Sequence, residues 1–427
     1  MNEVTDGAMI ELLHKEVVLA IGCTEPVAVA LATAKCREAL GKMPQTIEIL
    51  ASTNILKNGM GVGIPGTGMV GLHIVAALGA IAGDSNKLLE VLSDIKEENV
   101  KVAKQMIDEK KIDIKRKENI SEKLYIEAIC RYDDEYSRVI ISGNHTNISL
   151  VEVNSKKIYE EGVQEDKLLN NEINGEITVD DIYKFVNEIS TDKIKFLLHG
   201  ALINKKLSDE ALENEYGLGV GKNLYENVKN GRVVESMEVR AKYTTAAAVD
   251  ARMAGCSMPV MTNSGSGNQG ITVSLPVLAA AEKFEVGEEK LIRALALSNL
   301  VAIHIKSNLG RLSALCGCVV ASTGACCGIT YILGGELKNI KYSIKNMIGD
   351  ISGMVCDGAK CGCALKVSTG ISAAVQASML AMNNVEISQN DGIIDKDVEK
   401  TIKNLCELGT KGLREADDVI LNIMTCK

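Results

Sequence analysis

Tryptophan is absent from this chain of 427 residues, and there are only three phenylalanines, five prolines and five histidines. A core with so few rings must be built from Leu, Ile, Val, Ala and Met, with close backbone approach at Gly and Ala. So few histidines leave imidazole acid–base chemistry weakly signalled, and His73, His199 and His304 read as structural. Long apolar runs are missing as well. The most apolar one, Ile74 to Gly83, is too short to span a bilayer. Met1 to Gly22 has no basic leader before an apolar core, and Glu3, Asp6, Glu11 and Glu16 exclude a signal peptide there. Positive charge is in deficit: the formal net charge is −9, which argues against a nucleic-acid or anionic-membrane partner. What remains is a folded cytoplasmic protein, with no nucleic acid and no membrane among its partners. The length suffices for two or three domains, and the large apolar helices suit a homodimer.

Cysteine, by contrast, is plentiful. Seven of the thirteen fall between Cys316 and Cys363, in three knots: Cys316-Gly317-Cys318, Cys326-Cys327, and Cys356 with Cys361 and Cys363. In a reducing compartment this is no disulfide framework. Cys36, Cys130, Cys406 and Cys426 read as buried free thiols. The knots suggest a soft metal or a cluster. Zinc would favour paired CxxC knuckles, and none is present. Three separated thiolates suit a [4Fe–4S] cluster with one iron left open, able to act as a Lewis acid. Lys360, Lys366 and Arg311 lie close enough in sequence to offset cluster charge or to bind a carboxylate.

Periodicity places helices over 10–20, 26–40, 69–82 and 88–109, with Thr24 as the expected cap of the second. Strands are predicted over 46–52, 124–131, 137–142 and 148–153. From Val179 the pattern is mostly helical, including 277–283, 290–305, 371–383 and 395–421. The fold class is therefore α+β, with an α/β layer in the middle of the chain and a mostly helical C-terminal part into which Gly and Cys loops are inserted.

Three further segments carry chemistry. Cys23, in Gly22-Cys23-Thr24-Glu25-Pro26, sits at a helix start, where the dipole should lower its pKa and suit it to act as nucleophile or base. Gly61 to Gly68 formally contains GxGxxG with Asp84 beyond. The glycines do not follow their strand directly, and no alternating strands and helices ensue, so a structural or substrate-facing loop is the better reading. Thr262 to Ile271, TNSGSGNQGI, lets the backbone approach a ligand, and its N–H groups and hydroxyls form an expected anion nest for a carboxylate.

The segments IGCTEPVAVALA (21–32), TNSGSGNQGI (262–271), SALCGCVVASTGACCGITYILGG (313–335) and ISGMVCDGAKCGCALKVSTG (351–370) resemble the L-cysteine desulfidase group of the iron–sulfur-dependent serine dehydratase α-chain superfamily. The resemblance covers nearly the whole chain. It implies an oxygen-sensitive [4Fe–4S] cluster on three cysteines, which fall on Cys316, Cys356 and Cys363, with Cys318 and Cys361 as alternates two residues away. It also implies cleavage of L-cysteine to hydrogen sulfide, ammonia and pyruvate without pyridoxal phosphate, with Cys23 as base. Thr24, Glu25, Asn263, Ser264, Gly265, Ser266, Gly267, Asn268 and Lys366 become the expected substrate-binding residues. The implied division is residues 1–44 as N-terminal helices packing on the catalytic domain, 45–200 as a small α/β domain, and 201–427 as the mostly helical, cluster-binding catalytic domain. GMGVGIPGTG lacks the His and Asp usual near such glycines, which leaves no sign of a regulatory amino-acid site. L-Serine dehydratase, a pyridoxal-phosphate lyase and a non-enzymatic iron–sulfur sensor are the rival readings.

Overall fold

The computed structural model describes residues 3–120, 122–161, 177–310 and 313–426. The chain opens with helix α1 (Glu3–Glu16), a short strand β1 (Leu19–Ala20) and helix α2 (Thr24–Leu40). The cap of α2 is Cys23 and not Thr24, whose hydroxyl instead donates to the Glu25 carboxylate at 3.2 Å. Pro26 falls in the first turn, where its missing N–H costs no helix bond. Strand β2 (Thr46–Ala51) alternates and buries Ile47, Ile49 and Ala51. Helix α3 (Thr53–Gly59), the hairpin strands β3 (Gly63–Ile64) and β4 (Met69–Val70), and helix α4 (Leu72–Ala82) follow. The glycine-rich segment is thus a hairpin. A Cβ on Gly63 would stand 2.3 Å from the Ala254 carbonyl carbon, so the glycine is there for backbone contact.

Helix α5 spans only Glu97–Asp108, not the longer stretch its charge pattern suggests. Turns and coil over 91–96 precede it, with Lys96 at its cap, and before them Asp84 caps a 3₁₀ stretch over Ser85–Glu90 that is kinked at Leu88, at φ 50° and ψ −117°. Strands β5 (Ile112–Arg116), β6 (Tyr125–Tyr132), β7 (Glu135–Ser142), β8 (Ile148–Val153) and β9 (Lys156–Glu160) complete a six-stranded sheet of order β5-β2-β6-β7-β8-β9. Only β2 and β5 run parallel. Helix α2 covers β6 and β7, and α4 packs on α2. The Cys36 sulfur lies 3.3 and 3.2 Å from the Ala128 and Ser137 carbonyl oxygens, a seam between helix and sheet. Alternation puts Glu127 on the other face, where it holds Lys117 at 2.7 Å and Arg138 at 2.5 Å.

The helical part comprises α6 (Val179–Glu188), α7 (Phe196–Glu213), α8 (Val220–Lys229), α9 (Met237–Met253), strand β10 (Val260–Met261), α10 (Gly267–Lys283), α11 (Glu288–Leu309), α12 (Gly317–Ile332), α13 (Leu337–Ile351), α14 (Cys363–Met382), α15 (Val398–Glu407) and α16 (Ala416–Thr425). β1 pairs antiparallel with β10 and α1 packs on α11, while α16 returns to lie on α3. Helix α12 is the hub, packed by α10, α11, α13 and α14. Its small residues allow this: a Cβ on Gly324 would come within 2.4 Å of the Ser298 carbonyl oxygen. The expected helix over 395–421 is divided by a π turn at Leu408–Gly412, where Gly409 packs tightly against Leu309. Among the described residues no helix is long and apolar enough to cross a membrane.

Candidate functional site

A cavity of about 150 Å³ lies where the N-termini of α2, α10, α12 and α14 meet. Four helix dipoles therefore point their positive ends at one space, which favours anions. Cys23, Thr24, Glu25, Ser264, Gly265, Ser266, Asn268, Cys316, Cys356, Cys363 and Lys366 all line it, although they come from four distant stretches of chain. Asn263 and Gly267 do not line it. Asn263 is buried behind the loop, its amide donating to Asn299 Oδ1 at 3.0 Å. Gly267 acts by lacking a side chain, since a Cβ there would meet Arg252 Nε at 2.2 Å.

The cysteine-bearing loops are tied together by backbone. Leu315 and Val355 form an isolated antiparallel bridge, the Cys316 N–H donates to the Met354 carbonyl at 2.9 Å, and the Cys356 N–H donates to Ala314 at 2.7 Å. Gly358, at φ 92°, turns the chain toward Cys363, and a Cβ there would strike the Lys57 carbonyl oxygen at 2.1 Å. The Lys57 side chain is itself buried, pairs with Asp417 of α16, and donates to the Cys356 carbonyl at 3.2 Å. Cys318 also lines the cavity, but its sulfur is turned to the Lys366 carbonyl at 3.3 Å. Cys361 lies outside the lining, 3.4 Å from where a Cβ on Gly217 would stand. Cys326 and Cys327 are wholly buried inside α12. Cys426 is exposed, because it sits at the end of the amphipathic α16 and not in the core.

Burial pushes the Cys316 and Cys363 thiols above their ordinary range, and the neighbouring sulfur of Cys356 adds to both shifts. Among the described residues no three His, Cys, Asp or Glu side chains converge tightly enough for a single metal ion. Cys316, Cys356 and Cys363 line one cavity, and a backbone bridge joins the stretches that carry the first two; three thiols are a soft donor set of the kind that holds iron–sulfur clusters.

Cys23 departs from its expected chemistry. The helix dipole should lower its pKa, yet burial pushes the thiol up to about 11, opposed by the Arg252 guanidinium and reinforced by Glu25 and Cys363. Desolvation outweighs the dipole because only 5% of the residue is exposed. The expected anion nest is also partly spent. Ser264, at φ 50°, donates its N–H to the Glu16 carbonyl at 3.0 Å, and Ser266 donates to Asn263 at 3.0 Å. The loop is a firm wall more than an open cradle.

Reading the residues in order missed several lining side chains. Arg252 ends α9 and is 8% exposed; it donates to Asn268 Oδ1 at 3.0 Å and to the Gly22 carbonyl at 3.2 Å. Lys306 lies in the otherwise apolar run of α11, and burial pushes its ammonium down to about 8 against the pull of the Cys356 and Cys316 sulfurs. Asn58, His145, Gln269 and Ser313 complete the polar wall. A lone Arg or Lys in an apolar helical stretch was the available signal for the two cations. Lys366 lines the cavity with its charge already used: it pairs with Asp357 and donates to the Val355 carbonyl at 2.7 Å. Lys360 pairs with the same Asp357 at 2.6 Å, and Arg311 falls outside the described residues. His304 is structural, bonded to Glu399 at 2.7 Å.

Comparison with known proteins gives the family of the chain. The sequence profile of the family described as serine dehydratase alpha chain matches residues 86–422. A UPF0597 protein of Bacteroides fragilis is 48% identical over 433 aligned residues, covering 100% of both chains. UPF0597 proteins of Clostridium perfringens and Oleidesulfovibrio alaskensis are 46% and 45% identical, each covering at least 97% of both chains. The chain belongs to the serine dehydratase alpha chain family.

Proposed function

We propose that this family member is a carbon–sulfur lyase, an L-cysteine desulfidase, converting L-cysteine and water to hydrogen sulfide, ammonia and pyruvate. The observation that carries the reading is that Cys23, far away in sequence, shares one cavity with Cys316, Cys356 and Cys363. Cys316, Cys356 and Cys363 are the residues that would hold a [4Fe–4S] cluster. When bound, the cluster supplies an open, Lewis-acidic iron suited to a soft sulfur leaving group.

The chain's own residues do the rest. The firm loop from Ser264 to Asn268 walls the amino-acid backbone, so that a single Cα–H faces Cys23. Cys23 Sγ, as thiolate, takes that proton. A thiol held near 11 is a strong base once ionised but is mostly protonated at neutral pH. Arg252 is the side chain that draws its pKa back. As the α-proton leaves, the C–S bond breaks and sulfide departs, which leaves aminoacrylate. Its tautomer, an imine, takes up water and releases ammonia and pyruvate.

L-Serine is the rival substrate, favoured by the description of the family. The test is anaerobic reconstitution with iron and sulfide, followed by assay of sulfide and pyruvate from L-cysteine and of pyruvate from L-serine. Equimolar sulfide and pyruvate, with kcat/KM higher for L-cysteine, is the expected result. A higher kcat/KM for L-serine would make the protein a dehydratase, and no turnover of either with an intact cluster would end the lyase reading.

A further inference from the structure

Among the described residues the cavity wall holds three cationic side chains, and two are already engaged. Arg252 is held by Asn268 and the Gly22 carbonyl, and Lys366 by Asp357 and the Val355 carbonyl. Lys306 differs. It is only 5% exposed, it reaches the cavity from α11, and among the described residues its ammonium has no hydrogen-bond acceptor and no carboxylate partner. Burying an ammonium without a partner is costly, so the site is built for an anion that arrives later. Its helix neighbours Ile303, Ile305 and Leu309 offer no charge. Among the described residues the only carboxylate in the lining is Glu25, at the start of α2 beside Cys23. It accepts from Asn58 Nδ2 and from the Thr24 hydroxyl, each at 3.2 Å, and neither donor neutralises it. The wall therefore presents one unspent positive charge from α11 and one unspent negative charge from α2.

We propose that Lys306 pairs with the α-carboxylate of a zwitterionic amino-acid substrate, with Glu25 facing its α-ammonium group. The inference rests on the lyase reading above and adds the residues that recognise the two charged ends of its substrate, so that the free acid is taken in preference to amides, esters or decarboxylated amines. It also moves the carboxylate contact from Lys366, whose charge is spent, to a residue on a different helix. The competing role for Lys306 is to balance the thiolates of Cys316 and Cys356.

The experiment compares kcat/KM for sulfide release from L-cysteine and from L-cysteinamide, using anaerobically reconstituted holoenzyme of the wild type, Lys306→Met and Lys306→Arg, with iron content measured for each. Expected is a wild-type preference for the free acid of about 100-fold, typical of a desolvated charge-assisted contact. Lys306→Met should bring that ratio close to one with iron content unchanged, and Lys306→Arg should restore part of it. A wild type that takes the amide as well as the acid overturns the proposal without any variant. So does a Lys306→Met protein that keeps the wild-type ratio, or whose only defect is lost iron. A wild-type holoenzyme that turns over neither compound fails at the lyase reading instead.

Discussion

Helix α12 carries cysteines at its mouth and in its middle. Cys316 caps the helix, faces the cavity, and hangs from a backbone bridge to the loop of Cys356. Ten residues on, Cys326 and Cys327 are fully buried, and the Cys326 sulfur rests 3.3 Å from the Ser378 hydroxyl across the α12–α14 contact. The thiols are chemically the same; their surroundings are not. At the mouth there are unpaired helix N–H groups, open volume and other sulfurs. In the middle there is close packing, which fixes a small, polarisable side chain in place and leaves no room for a metal. Density of cysteine along the sequence does not separate the two kinds, whereas position relative to the helix boundary does.

The sharpest way to break this comparison is to change one cysteine of each kind. Cys356→Ser should abolish cluster incorporation and lower activity by on the order of 10³-fold or more, read by iron analysis and sulfide release. A reconstituted variant with full iron content would remove Cys356 from the ligand set. Cys23→Ala isolates the thiol proposed as the base: kcat should fall about 10²–10⁴-fold while the cluster's visible spectrum is kept. Loss of the spectrum together with activity would make Cys23 a ligand.

Lys57→Met tests the support beneath the mouth. It leaves Asp417 without its partner and the Cys356 carbonyl without its donor, and should lower unfolding free energy by about 3 kcal/mol in urea titration. A change under about 1 kcal/mol would show that the pair is incidental. The thiols of both regions share a pH signature. Burial pushes Cys23, Cys318 and Cys326 up to about 11 and Cys406 to about 12, from an ordinary 9.0. Above pH 9 the unfolded chain sheds these protons and the folded chain keeps them. The stability of the cluster-free protein should therefore be intact below 9 and fall as pH rises toward 11, by up to about 1.4 kcal/mol per pH unit for each thiol. Flat urea midpoints across that window would contradict it. The smallest effect belongs to the middle of the helix: Cys327→Ser should cost about 1–3 kcal/mol, from burying a hydroxyl, and leave kcat/KM unchanged.

The three antiparallel strands of the middle zone and the start of α2 were legible in the sequence because alternation and a proline in a first turn are local signals. Strands β5 and β9 were not, since both are short and mostly exposed along the edges of the sheet. The late start of α5 at Glu97 was hidden because the charge periodicity runs on through the turns and coil over 91–96. In the site, Cys23 and the loop from Ser264 to Asn268 were visible as motifs. Arg252 and Lys306 were not, because a buried charge is recognisable only once the helices around it are in place. The expected low pKa of Cys23 failed for the same reason: the dipole is a property of one helix, and desolvation is a property of all that surrounds it.

The bridge between Leu315 and Val355 has a consequence for the life of the protein after loading. Small metal-nucleated domains come apart when their ion leaves, since the ion is what closes their loops. Here the stretch from Cys316 to Cys356, which contains α12 and α13, is closed by peptide hydrogen bonds and by the helices packed behind them. The polypeptide therefore sets the shape of the site by itself. For the cluster proposed above, damage by an oxidant would then be a loss of inventory and not of architecture, and the same polypeptide would be refilled and returned to service without passing through the unfolded state.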